Sequence, residues 1–229
     1  MSVEREPAVL RRWRAAWLAA LSVLVCLTVV KHMADIGIGG RWGYTVAAAL
    51  QLYLPVFMTR KHRDPNGFLG LRVSRRIVWQ ELRSVGLLCL VFFPLFAVGH
   101  HFWQSIMFSR VFSWSLPEGI ADLVLTHTLA VALPEELFYR GYLQPSLEER
   151  WSPRRSYFGV KLGLAAVVSA ALFALGHYLG EYNPIRFGPF FPALIFAWLR
   201  NRRGSVWGAV LFHALANILS AFLFACYTP

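Results

Sequence analysis

Hydrophobic residues in this chain fall into long runs separated by short polar segments. Seven runs approach the length of about 20 residues that a helix needs to cross a bilayer. They cover residues 13–30, 42–58, 84–103, 121–133, 160–178, 187–199 and 205–226. The pattern predicts an all-α, polytopic transmembrane helical bundle of about seven spans, with residues 1–229 forming a single membrane domain.

The basic residues alternate between the segments that connect these runs. Eighteen of the 23 Lys and Arg residues lie at the N-terminus or in the second, fourth and sixth loops, counting Arg14 and Lys161 at the edges of their runs. The alternate loops hold only Lys31, Arg41, Arg110 and Arg186. Because short cytoplasmic loops carry the excess of positive charge, we expect the N-terminus inside and the C-terminus outside.

The composition agrees with a membrane protein. Hydrophobic residues make up 57% of the chain and charged residues 15%, which is too apolar for an ordinary soluble domain. The net charge of +11 is explained by the basic loops, so we expect the lipid bilayer and no nucleic acid as a partner. Cys26, Cys89 and Cys226 lie in apolar runs and predict neither a disulfide nor a thiolate metal site. Short loops suit a bacterial inner membrane.

One polar segment between the second and third runs has two interpretations. Residues 64–67 have the sequence of a turn, and residues 68–81 alternate basic and apolar positions. The segment is either an amphipathic stretch on the cytoplasmic interface or a solvated loop.

The fourth run continues into two adjacent carboxylates, Glu135 and Glu136, followed by Arg140. A carboxylate at the bilayer centre costs about 3 kcal/mol, so these side chains are functional candidates. On a helix, Glu136 and Arg140 share a face and can form a supporting ion pair. Glu135 is turned about 100° away and could act as a general base. The alternative is that both acids only hold the end of the helix at the membrane surface.

Two later runs carry further polar residues. Phe173 precedes His177 by one helical turn in the fifth run, and His213 and Asn217 share a face of the seventh. A rise of about 1.5 Å per residue gives Glu135, His177 and His213 overlapping depths in a layer about 30 Å thick. A lone membrane histidine more often bonds neighbouring helices than catalyses a reaction. Three spans that each contribute such groups favour a shared site.

The ordered set Glu-Glu-x-x-x-Arg, Phe-x-x-x-His and His-x-x-x-Asn, within residues 135–217, resembles the CPBP family of CAAX-processing and bacteriocin-processing intramembrane proteases. The sequence Phe138-Tyr139-Arg140-Gly141 is also similar to the corresponding sequence in the family. The resemblance covers the C-terminal half, so residues 121–226 are expected to form the catalytic core. Residues 1–120 match only as generic membrane helices.

The resemblance implies a role for each matching residue. Glu135 and His177 would activate water, and His213 and Asn217 would stabilise the oxyanion. Glu136, Arg140 and Phe173 would support them. These roles agree with the chemistry of the side chains, because a carboxylate can activate water and neutral donors can receive developing negative charge.

No cofactor is expected, and zinc is the alternative. Glu135 or Glu136 with His177 and His213 would form a His₂Glu ligand set. The chain has no His-Glu-x-x-His motif, and Arg140 brings a cation close to that position, so a glutamic-type, metal-free mechanism is favoured. His127 is interpreted as a residue with an internal hydrogen bond.

The leading hypothesis is an intramembrane endopeptidase that cuts a membrane-anchored or C-terminally processed protein or peptide. A second is a non-proteolytic membrane scaffold or immunity-type protein that retains the family fold. Retaining buried Glu, His and Asn without catalysis would cost a few kcal/mol, which argues against the scaffold. A third, a proton-coupled transporter, predicts inverted repeats that the sequence does not display.

Overall fold

The computed structural model describes residues 5–38 and 40–228 and is almost entirely helical, which confirms the all-α class. The α-helices are α1 Arg5–Asp35, α2 Gly40–Thr59, α3 Pro65–Leu69, α4 Arg75–Phe108, α5 Ile120–Leu125, α6 Leu133–Glu136, α7 Gln144–Glu148, α8 Leu164–Glu181, α9 Phe190–Arg203 and α10 Trp207–Ala225.

Short elements complete the fold. Two π-helical segments, Thr126–Ala132 and Leu137–Leu143, join α5, α6 and α7 into one continuous helical element, residues 120–148, which we name the motif helix. A 3₁₀ turn covers Pro184–Phe187. The structure also contains two antiparallel strand pairs that the sequence did not predict. Strand β1 Val111–Phe112 pairs with β4 Tyr227–Thr228, and β2 Arg155–Tyr157 pairs with β3 Val160–Leu162.

Among the described residues, four helices are long and apolar enough to cross a membrane: residues Ala8–Asp35 of α1, and α4, α8 and α10 in full. Helix α9 has 14 residues, or about 21 Å of rise, which is too short. Helix α2 contains Gln51 among aromatic residues and Pro55, which lower its hydropathy. The total of seven spans and the N-inside orientation stay predictions.

Small residues line the buried face of α1. Ala16, Ala19 and Ala20 are buried, and the helix packs against α2 and α8. Small side chains let membrane helices approach closely, where dispersion contacts replace the hydrophobic effect. The opposite face of α1 exposes Leu18 and Leu21, as a surface that meets lipid tails would.

The four basic segments of the sequence meet at one end of the bundle, which we name the basic end. Helices α1, α4, α8 and α10 begin there, and α9 and the motif helix end there. This agrees with the alternation of charge, although the side of a membrane that this end faces stays a prediction. Three hydrogen bonds tie the segments together: Arg12 Nε to Glu149 Oε2 (2.7 Å), Asn201 Nδ2 to Lys161 O (3.1 Å) and Arg200 Nη2 to Phe68 O (2.8 Å).

The polar segment before the third run is divided between two helices. Asp64 caps α3, and Ser74 caps α4 by accepting a hydrogen bond from Ile77 N at 3.2 Å. Residues 75–81 are therefore the first turns of a 34-residue helix and neither a separate interfacial stretch nor a loop. At about 51 Å, α4 is longer than a bilayer core is thick, so its ends extend into the interfacial layers.

The motif helix departs from α-helical geometry on both sides of the two glutamates. Pro134 has no N–H to donate to the preceding turn, so the hydrogen-bond ladder must change there. Leu133 N donates to Thr128 O and Gln144 N donates to Tyr139 O, which are the i to i−5 bonds of π-helices. Single π-turns are frequent at functional sites because they change the direction of side chains.

Candidate active site

Glu136, Arg140 and His213 form a hydrogen-bonded network inside the bundle. The side chains of Glu136 and Arg140 are fully buried, and Arg140 Nη1 donates to Glu136 Oε1 at 3.0 Å. His213 Nδ1 lies 2.9 Å from the same oxygen. Arg140 Nη2 also donates to the carbonyl of Ala193 on α9, at 3.3 Å. The i, i+4 pair expected from the sequence is therefore present, with α9 and α10 attached to it.

The contact with Glu136 fixes the tautomer of His213. A carboxylate only accepts hydrogen bonds, so Nδ1 carries a proton, and Nε2 is an unprotonated acceptor whenever the ring is neutral. That Nε2 lies 3.8 Å from Glu135 Oε2, beyond direct hydrogen-bond distance. His213 thus stands between the two glutamates, and the gap on the Glu135 side is one that a water molecule can bridge.

Aromatic rings form the walls of this network. The Arg140 guanidinium lies 4.5 Å from the ring centroid of Phe173 and 5.1 Å from that of Phe196. Phe196 stacks on His213 with centroids 4.9 Å apart, and Phe173 meets His213 edge-on at 5.8 Å. The rings exclude water from the ion pair and restrict the rotamers of Arg140 and His213.

Glu135 points away from the ion pair into a cavity of 180 Å³. Its Oε2 atom is buried and makes no hydrogen bond within the described residues, although the side chain as a whole is 19% exposed. A buried carboxylate oxygen without a partner is rare in proteins. Glu136 Oε2 is also unpaired, but Glu135 alone of the two lines the cavity. A cavity of this size with polar groups in its lining can hold several water molecules. The geometry therefore presents a free carboxylate to a space that can hold water.

His177 lines the same cavity as Glu135. Its Nδ1 lies 3.0 Å from Phe173 O, and a carbonyl can only accept, so Nδ1 carries the proton and Nε2 is the free acceptor. The Phe173 ring lies 4.5 Å from the His177 ring. Phe173 therefore orients both histidines of the candidate site, one through its carbonyl and both through its ring.

Asn217 is the predicted site residue that the structure leaves apart. It is half-buried on α10, one turn beyond His213, and does not line the cavity. Within residues 5–38 and 40–228 its side chain makes no hydrogen bond to Glu135 or His177. The structure thus brings Glu135, Glu136, Arg140, Phe173, His177 and His213 together, and it places Asn217 at the margin.

Four polar residues of the cavity had no site role assigned from the sequence: Tyr44, Gln51, Tyr139 and Glu181. Gln51 of α2 is buried and lines the cavity beside Glu135. Tyr139 also lines it, and a Cβ atom at Gly176 would lie 3.1 Å from Tyr139 Oη, so glycine allows this close approach. Gln51 could have been noticed as the single amide in the second apolar run. The position of Tyr139 depends on the π-turns and has no sequence signal.

The interpretation of His127 needs correction. Its Nδ1 atom is buried and has no hydrogen-bond partner in the described part of the chain, whereas an internal hydrogen bond was expected. The residue lies in the first π-helical segment, which packs against α10.

The arrangement of the possible metal ligands bears on the zinc alternative. No group of three His, Cys, Asp or Glu side chains within the described ranges is arranged to hold a metal ion. In particular, His177 and His213 do not form a ready His₂Glu set with either glutamate. The choice between a glutamic and a zinc-dependent mechanism stays a prediction.

Comparison with known proteins supports the resemblance. The model of the Rce1-like family, described as type II CAAX prenyl endopeptidase Rce1-like, matches residues 117–219. All seven candidate site residues lie inside this segment. No curated protein and no solved structure matches the chain.

The family match and the apolar helices agree with each other. The Rce1-like family is a protease family, and the four apolar helices indicate an integral membrane protein. Residues 1–116, which lie outside the match, supply α1, α2 and α4, including the Gln51 wall of the cavity. The CPBP resemblance is therefore confirmed, because residues 117–219 are similar to the type II CAAX prenyl endopeptidase Rce1-like family.

Proposed function

We propose that this protein is an intramembrane endopeptidase that hydrolyses a peptide bond of a membrane-anchored or C-terminally processed protein by glutamate-activated water. The observation that carries the proposal is the free carboxylate oxygen of Glu135 in the 180 Å³ cavity that it shares with His177. Its neighbour Glu136 is occupied by Arg140 and His213. One carboxylate is therefore held as a structural anion while the other stays available as a base.

In the proposed reaction, Glu135 removes a proton from water held in the cavity, and the hydroxide attacks the carbonyl carbon of the scissile bond. The free Nε2 of His177 accepts the second water hydrogen and orients the nucleophile. General bases of this kind contribute about 10²- to 10⁴-fold to a rate. When the tetrahedral intermediate collapses, the C–N bond breaks and the protonated Glu135 returns its proton to the leaving amine.

The oxyanion role of His213 requires a particular protonation state. Because Nδ1 donates to Glu136, Nε2 carries a hydrogen only in the imidazolium form. We infer that His213, as an imidazolium, donates a hydrogen bond to the oxyanion. Asn217 would donate a second hydrogen bond to the same oxygen when a substrate is bound. Each such donor is expected to contribute about 10²- to 10³-fold.

The substrate class follows from the name of the matching family and the membrane setting. The family is described as a CAAX prenyl endopeptidase, so a lipidated C-terminal peptide is one candidate. A single-span protein with a C-terminal anchor is the other. We further propose seven spans, an N-terminus inside and a location in a bacterial inner membrane. No cofactor is required in this scheme.

The proposal is tested by comparing the C-termini of membrane proteins in cells that produce the wild-type protein or Glu135→Gln. The substitution keeps the size and burial of the side chain but removes the base. Substrates should accumulate uncut in the variant. Glu149→Gln, an acid-to-amide change at the exposed pair with Arg12, is the control and should process normally. If no terminus differs between wild type and Glu135→Gln, the protease assignment fails and a scaffold function is favoured.

A further inference from the structure

A second cavity, larger than that of Glu135, lies apart from the candidate active site. It is a groove of 1170 Å³ between α4, the start of α8 and the middle of α9, closed on one side by the β2–β3 hairpin. None of its lining residues lines the cavity of Glu135. Ligand pockets usually measure about 300–1,000 Å³, so the groove can hold a large molecule.

The lining of the groove is apolar along its length and basic at its mouth. Leu88 and Phe92 of α4 and Leu194 of α9 form part of the apolar wall. Helices α4 and α8 are among the four candidate membrane spans, and Leu164 and Val167 of α8 are exposed beside the opening. In a bilayer the open side of the groove therefore faces acyl chains.

Three arginines, Arg150, Arg154 and Arg155, line the basic mouth, and no Asp or Glu lines the groove. None of the three forms a side-chain hydrogen bond or an ion pair within the described residues. The two acids that precede Arg150 in the sequence are engaged elsewhere: Glu148 accepts a hydrogen bond from Asn201, and Glu149 pairs with Arg12. The mouth thus carries uncompensated positive charge.

The β2–β3 hairpin holds this mouth in a fixed shape. Phe158 and Gly159 both have positive φ values, of 49° and 76°, as a tight two-residue turn requires. Trp198 Nε1 donates to the carbonyl of Tyr157 at 3.1 Å and attaches the hairpin to α9. The Phe158 side chain at the tip is 95% exposed, in a position that suits insertion among lipid headgroups.

We propose that this groove binds one anionic phospholipid, with its phosphate between Arg150, Arg154 and Arg155 and its acyl chains along α4 and α8. Basic pockets between membrane helices at a charged interface are suited to anionic headgroups. Charge complementarity selects a phospholipid over an uncharged lipid chain, because a chain alone leaves three guanidinium groups without partners. This inference is independent of the proposed proteolysis.

Native mass spectrometry of the purified, delipidated protein tests the proposal. Phosphatidylglycerol is added in competition with phosphatidylethanolamine of the same acyl chains. We expect one phosphatidylglycerol per chain and a preference of about tenfold or more, from the charge of several arginines. Equal binding of the two lipids by the wild-type protein would overturn the proposal without any variant.

Variants locate the site. Arg150→Gln/Arg154→Gln/Arg155→Gln should remove the preference, and Val167→Trp, which fills the groove, should reduce binding of both lipids. The control Arg75→Gln/Arg76→Gln/Arg83→Gln removes the same charge from exposed positions outside the groove and should keep the preference. An equal loss in the control would assign the effect to net charge alone and would contradict a specific site.

Two competitors identify the ligand class. Inorganic phosphate should not displace the bound lipid, and displacement at equal concentration would make the site an anion site rather than a lipid site. A farnesylated peptide should bind less well than phosphatidylglycerol. If it displaces the lipid equally from the wild type and the arginine variant, the groove holds a substrate chain and the proposal is wrong.

Discussion

His213 Nδ1 lies 2.9 Å from the same Glu136 oxygen that accepts the hydrogen bond of Arg140. This contact joins α10 to the motif helix and fixes which ring nitrogen faces Glu135. The two glutamates therefore differ in environment although they are adjacent in sequence. Arg140 and His213 both bind Glu136 Oε1, whereas Glu135 makes no hydrogen bond within the described residues. The Oε2 atoms of both glutamates are buried and unpaired, but only Glu135 lines the cavity. The proposed division of labour follows from this difference.

The first prediction concerns stability. Glu136→Gln removes the anion of a fully buried pair and leaves the Arg140 charge uncompensated, which should destabilise the protein by about 3–5 kcal/mol. Thermal unfolding in detergent micelles measures the effect. The double change Glu136→Leu/Arg140→Met should lower the free energy of unfolding by less than the sum of the losses caused by Glu136→Leu and Arg140→Met alone. Glu149→Gln, at an exposed pair, should cost less than about 1 kcal/mol. Additive single changes would show that the buried pair is not coupled.

The second prediction concerns Gln51, which lies outside the family match. Gln51→Leu preserves size but removes the amide from the wall of the Glu135 cavity, so we expect slower cleavage with little change in thermal stability. Gln80→Leu on α4 is the matched control, because it makes the same change outside the cavity. The measurement is the cleavage rate of each variant relative to the wild type. Normal activity of Gln51→Leu would show that α2 only encloses the site.

The third prediction separates Asn217 from its neighbour His213. Asn217 makes no hydrogen bond within the described residues, so Asn217→Ala should leave the melting temperature unchanged. His213→Ala removes a partner of buried Glu136 and should lower it. If Asn217 is an oxyanion donor, its loss should reduce kcat by about 10²- to 10³-fold with a smaller change in KM. An unaltered kcat would exclude Asn217 from the reaction.

The fourth prediction concerns metal dependence. In the proposed scheme Glu135 activates water without a metal, so dialysis against a zinc chelator should leave the cleavage rate unchanged. The measurement compares the rate before dialysis, after dialysis and after zinc is returned. Loss of activity that zinc restores would establish a metal mechanism and would require His177 and His213 to move toward a shared ligand position.

The sequence was informative where local spacing determines geometry. The pair Glu136 and Arg140 is separated by one helical turn, and the structure contains that pair. The alternation of basic loops anticipated which segments meet at the basic end, because neighbouring spans run in opposite directions. Both inferences depend only on helical periodicity and chain direction.

Other features depend on contacts between distant segments and could not be read from local pattern. The π-turns beside Pro134 place Tyr139 in the cavity, and Gln51 reaches it because α2 packs against the motif helix. The start of α4 at Arg75 depends on the cap by Ser74. The β2–β3 hairpin, with its Phe158–Gly159 turn, lies inside a region that hydropathy alone assigns to a loop and a span.

The most direct test of the account is the cleavage rate of purified Glu135→Gln in liposomes, measured by mass spectrometry. The substrates are a farnesylated C-terminal peptide and a single-span protein with a C-terminal anchor. The wild type is expected to cut at least one of them. Glu135→Gln should cut that substrate about 10²-fold or more slowly, with an unchanged melting temperature. Equal cleavage rates in the two proteins would contradict the assignment of Glu135 as the catalytic base.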